Sequence, residues 1–99
     1  MVDGAYVPDA GEFIWLSFDP QAGHEQGGRR PALVLSPKTY NRRSGLALVC
    51  PVTSHSKNYP FEVAVPVGCG VAGVILADHV MSVDYRARRA ARAGRCAAE

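Results

Sequence analysis

Residues 25–41, EQGGRRPALVLSPKTYN, set an acid, two glycines and two adjacent arginines directly against an apolar run. A guanidinium presents a planar fork of donors that matches a phosphate, and it stays charged at any working pH. Anchored at the mouth of a rigid strand, it loses less freedom on binding than an arginine on a mobile surface chain. Gly27 and Gly28 let the chain turn sharply and let a ligand approach the backbone. Glu25 could orient Arg30 by pairing with it, or accept a proton. A surface Arg–Glu pair capping a strand accounts for the same residues, and such pairs contribute little to stability.

A second polar stretch, PVTSHSKNYPF at residues 51–61, leaves another apolar run. It carries hydroxyls at Thr53, Ser54 and Ser56, a proton carrier at His55 and a cation at Lys57. Binding groups concentrate on loops held by a rigid scaffold, although such hydroxyls also serve simply to satisfy their own turn. Two loops of this kind, each leaving an apolar strand, could converge at one end of a barrel. His24, His55 and His79 lie far apart without metal-ligand spacing, so no metal or cofactor is expected.

The elements that must position these residues are short. EFIWLSF (12–18) reads as a strand bounded by Gly11 and Asp19-Pro20, and ALVLS (32–36) as an apolar strand closed by Pro37. YNRRSG carries turn residues. LALVCPV (46–52) resumes a strand in which Pro51 marks an edge, a bulge or the strand end. FEVAVPV (61–67) alternates, which places Phe61, Val63 and Val65 on one face. A further buried strand is expected around Val74 to Leu76. DYRARRAARAGR, rich in alanine and arginine, predicts a helix with Asp84 as N-cap and Gly94 as its stop. Strands at this spacing plus helical additions predict a mainly β fold with short helices (α+β), a small antiparallel barrel.

The 99 residues suffice for one domain. Net charge is only +2, but every charged residue before Arg29 is acidic, while YRARRAARAGR holds five arginines and no acid. Such segregation can attract a polyanion or an acidic peptide, and it also suits a solvated face. No apolar run approaches the ~20 residues of a membrane helix, and the N-terminus lacks a basic start with an apolar centre. A cytoplasmic protein without a membrane partner is expected. Cys50, Cys69 and Cys96 cannot all pair within one chain, and no C-x-x-C occurs, so free thiols in a reducing compartment are expected.

The stretches YVPDAGEFIWLSFDP, EQGGRRPALVLSPKTYN, CPVTSHSKNYPFEV and GVILADHVMSVDYRARRA run in order from Tyr6 to about Ala90. In them the chain resembles the MazF/PemK toxins of bacterial toxin–antitoxin modules. G-x-R-P-x-x-V-L-S followed some twenty residues later by P-x-T-S is specific as a combination. The resemblance implies an SH3-like barrel acting as a homodimer. The implied activity is that of a metal-independent endoribonuclease, an mRNA interferase, which cuts single-stranded messenger RNA at short motifs. The ribose 2′-hydroxyl is the nucleophile there, leaving 2′,3′-cyclic phosphate and 5′-hydroxyl ends. The family's essential arginine falls on Arg30, its catalytic threonine on Thr53 and its acid before Q-x-G on Glu25; His24 and His55 rival Glu25 as proton acceptor.

For RNA binding the same resemblance points to Phe18, Gln26, Ser36, Ser54, His55 and His79. Arg29, Lys57 and Arg86 could contact phosphates, Asp78 and His79 could read base edges, and Phe18 and Tyr40 could stack on bases. Many relatives carry glutamine at the positions of His55 and His79, which bears on the RNA motif and on pH dependence. A cognate antitoxin with a disordered acidic tail is implied, with operator DNA bound only through it. Family members usually continue past a segment like GRCAAE into a C-terminal helix, so that helix is expected to be missing. Two other readings share the barrel: a gyrase poison, which in the family relies on a tryptophan near the C-terminus, and a non-catalytic module that binds RNA or an acidic peptide.

Overall fold

Apolar side chains on both faces make EFIWLSF a strand that must be covered twice. In the computed structural model, which describes residues 6–18 and 28–96, it forms β1 (Glu12–Phe18). β2 (Gly28–Val34), α1 (Lys38–Ser44), β3 (Leu46–Thr53), β4 (Glu62–Ala64), β5 (Val74–Leu76), β6 (Met81–Asp84) and β7 (Ala91–Arg95) follow. Every pairing is antiparallel, in the order β4-β5-β3-β2-β1-β7, with β6 also on β3. The chain is thus mostly antiparallel β with one short helix among the described residues.

Alternation along the strands divides the core in two. Ile14 and Leu16 point one way, into a cluster with Val34, Val49, Val83 and Tyr85. Phe13 points the other way, against Cys50, Val52, Cys69 and Ile75. The helix was not expected: YNRRSG reads as a turn, yet it lies largely within α1. Pro37 precedes that helix without a side-chain cap, and Gly45 ends it at φ 76. Asn41, fully buried, holds it in place. Its amide donates to the carbonyls of Pro8 (2.8 Å) and Ser36 (3.0 Å), its side-chain oxygen accepts the Ser36 hydroxyl, and its carbonyl accepts Tyr85 Oη–H at 2.9 Å.

Three other expectations are corrected. The alanine–arginine tail is no helix: residues 85–89 form a turn with Arg89 at φ 57, and the chain then pairs with β1 as β7. Helix propensity is worth tenths of a kcal/mol per residue, less than covering the open edge of β1. The strand at 61–67 contracts to β4: Val65 still donates to Gly73, but Pro66 has no N–H to carry the ladder further. Phe61 and Val63 are exposed rather than on a buried face. Nor are all thiols free, since Cys69 and Cys96 form a disulfide and only Cys50 stays unpaired, buried in the sheet. Burial, and secondarily the charge of Asp78, push the Cys50 thiol up from its ordinary pKa.

Candidate active site

β2 and β3 pair with Ala32 opposite Pro51 and Leu33 opposite Cys50. Continuing that register by two positions sets Arg30 across from Thr53. Both line one open cavity of about 440 Å³, together with Ser54 and His55. Trp15, Pro31, Val52 and Ala72 supply its apolar wall. The two polar stretches therefore meet, because each is the end of a strand in one antiparallel pair.

Thr53 is held tightly. It faces Val74 of β5, and its Oγ1 accepts the His55 amide N–H at 3.1 Å. That bond occupies an oxygen lone pair and leaves the hydroxyl proton for an acceptor in the cavity. Behind it, Gly73 sits at φ 127, and a Cβ there would lie 2.3 Å from the Thr53 carbonyl oxygen. Only glycine permits that approach. His55 Nδ1 lies 3.3 Å from Ser54 Oγ. The rest of the loop is folded by Glu62, whose carboxylate accepts the Ser56 hydroxyl (2.7 Å) and the Lys57 N–H (3.0 Å). The Lys57 N–H, then the Ser56 hydroxyl, hold this carboxyl below its ordinary pKa.

Both arginines line the cavity. Arg30 is half-buried on the inner rim of the cavity. Arg29 also lines the cavity, but its guanidinium is committed to protein acceptors: Ser17 Oγ at 2.7 Å, the Arg89 carbonyl at 2.7 Å and the Trp15 carbonyl at 3.4 Å. It laces the start of β2 to β1 and to the 85–89 turn.

Other expected residues lie elsewhere. Ser36 is buried, its hydroxyl spent on Asn41 and on the Leu48 N–H (2.9 Å), so it braces α1 and β3 instead of facing a ligand. Asp78 and His79 stand exposed in the turn after β5, with His79 Nε2 3.7 Å from Asp78 Oδ1, outside the cavity. Lys57, Tyr40 and Arg86 are exposed, also outside the lining. His24, Glu25, Gln26 and the side chain of Phe18 fall outside the described residues. Trp15 was missed as a site residue; the signal for it was the strand alternation, which turns it away from Ile14 and Leu16.

A second cavity, of about 560 Å³, opens where β1 begins, between Lys38, Arg42 and Arg92. Its acid, Glu12, accepts the Tyr6 hydroxyl and the Asp9 N–H. Burial, then the Glu12 contact, push the Tyr6 phenol above its ordinary pKa.

Comparison with known proteins matches residues 9–99 to the family of PemK-like, MazF-like toxins of type II toxin–antitoxin systems. The chain belongs to that family. It is 52% identical to the endoribonuclease toxin MazF of Escherichia coli K12, over 95% of this chain and 84% of that protein. The endoribonuclease toxin ChpB of the same organism is 40% identical, over 92% and 82%. A crystal structure of MazE–MazF from Deinococcus radiodurans superimposes with a TM-score of 0.85 at 61% identity, covering 94% of this chain and 84% of the matched chain.

Proposed function

We propose that this chain is an endoribonuclease toxin that cuts single-stranded messenger RNA, and that Arg30 and Thr53 grip the phosphate at the cut. The observation carrying the reading is that these two side chains line one open cavity. RNA brings its own nucleophile, so the protein must hold the phosphate in line, stabilise added negative charge and move two protons. The 2′-oxygen forms a bond to phosphorus as its proton leaves to a base. The bond to the 5′-oxygen breaks, and that oxygen takes a proton, leaving a 2′,3′-cyclic phosphate and a 5′-hydroxyl. Arg30 stabilises the charge on the non-bridging oxygens, and the Thr53 hydroxyl donates to one of them. His55, on the cavity wall, and Glu25 are the candidates for moving the protons.

An antitoxin with an acidic tail fits the same basic rim, competing with RNA by charge. Leu35, Leu46, Leu48 and Val80 are exposed on and beside β3 and β6, and we assign this apolar face to a homodimer interface. Cutting messenger RNA places the chain's work in the cytoplasm.

The test is incubation with single-stranded RNA in chelator, followed by analysis of the ends. Cyclic-phosphate and 5′-hydroxyl termini are expected. Arg30→Ala should keep the wild-type circular dichroism and lose about 10²–10³-fold or more in rate. A folded Arg30→Ala protein that cuts at the wild-type rate overturns the assignment, and RNA binding without any cut leaves a non-catalytic module.

A further inference from the structure

We infer that Trp15 is the platform on which one RNA base stacks beside the scissile phosphate. The inference rests on reading the cavity as an RNA site. Trp15 lies in mid-sheet, opposite Pro31 of β2 and Ala91 of β7. Its neighbours along the strand, Ile14 and Leu16, are fully buried, yet Trp15 is 37% exposed. The residues paired directly with it, a proline and an alanine, are flat or small, and the Arg29 guanidinium reaches the Trp15 carbonyl and Ser17. The Trp15 backbone is fixed twice, by those pairings and by the Arg29 guanidinium on its carbonyl. The indole thus lines the cavity from an anchored stretch of backbone.

What surrounds it selects the occupant. Arg30, Thr53, Ser54 and His55 line the same cavity. A nucleotide matches this lining, offering a flat ring to the indole and a phosphate to the guanidinium and hydroxyls. Stacking tolerates any base, since each has a π-face. Trp15 therefore supplies grip, and the discrimination between bases comes from other groups.

Trp15 is the only tryptophan of the chain, so its emission reports on this contact alone. The probe is a short random-sequence single-stranded DNA pool, which lacks the 2′-hydroxyl and cannot be cut. Saturable quenching is expected with this pool and none with an abasic strand of equal length and charge. Trp15→Leu should weaken binding about 5- to 150-fold, the worth of one stacked base, and Trp15→Phe should bind within a few-fold of wild type. Equal quenching by the abasic strand, or unweakened binding by a folded Trp15→Leu protein, overturns the inference. So does quenching by an acidic peptide but by neither strand, which would give the indole to a protein partner. Wild-type protein that cuts RNA without quenching sinks the stacking platform alone. Protein that stacks the pool but cuts no RNA sinks the nuclease reading and leaves the platform standing.

Discussion

Opening the Cys69–Cys96 bond should cost this chain a large part of its stability. The disulfide joins positions 27 residues apart, tying the end of β7 to the turn before β5. Among the described residues β7 pairs with β1 alone, through a ladder broken between Phe13 and Ile14, and the cross-link ties its far end down. The backbones are in close contact there: a Cβ on Gly94 would lie 2.1 Å from the Cys69 carbonyl oxygen. For a closed loop of this size the chain-entropy relation gives about 3.5 kcal/mol at 25 °C. A domain of this length is stable by roughly 5–15 kcal/mol. With a urea m-value near the low end of the usual range, about 1–1.5 kcal/mol/M, the midpoint should fall by ~2.3–3.5 M. The assay is urea unfolding, followed by far-ultraviolet circular dichroism, of oxidised protein, of protein in a phosphine reductant, and of Cys96→Ser. The last two should coincide. Thiol titration of the denatured, unreduced protein should find Cys50 alone. An unmoved midpoint, or three titratable thiols before reduction, refutes the reasoning.

Gly73→Ala forces a methyl group against the Thr53 carbonyl at a strained φ; cleavage kinetics should show a large loss of kcat, with Arg30 still present. Asn41→Ala leaves the Pro8 carbonyl and the Ser36 hydroxyl without the amide they pair with, and should destabilise by about 2–4 kcal/mol in denaturant unfolding. Glu62 has a folded pKa below its ordinary 4.5, so its hold on the 54–59 loop is complete above that value and is lost as pH falls through the lowered pKa. The Lys57 amide resonance should report that transition below pH 4.5, and Glu62→Gln should abolish it. Arg29→Ala should change the slope of log affinity against log salt by much less than one, because its guanidinium is held by protein acceptors. A true phosphate ligand contributes about one.

Some of the molecule could be read directly. β1 was legible because its apolar residues occupy both faces between a glycine turn and a proline, leaving no other economical conformation. The pairing of RRP with P-x-T-S was legible as a resemblance, and the two ends come together because RRP begins β2 and P-x-T-S ends β3 in one antiparallel pair. The tail misled for a definite reason: alanine and arginine report only local backbone preference, whereas β7 forms because β1 offers an unpaired edge more than seventy residues away in sequence. The disulfide, spanning 27 residues, was hidden as well, since three cysteines and their spacing do not say which two are brought within bonding reach. α1 was obscured because its anchor, Asn41, is a turn former until a cavity is built around it.

The sequence by itself therefore determined the alternating apolar strands, the charge asymmetry and the chemical inventory of two polar strand ends, all of which depend on neighbours within a few positions. Only the tertiary structure decided that Arg29, on the cavity wall beside Arg30, also braces β1 and the 85–89 turn. It alone decided that Ser36 is interior, and that an exposed indole stands beside Thr53. Those outcomes depend on register and burial, which arise when distant segments pack and which no local pattern encodes.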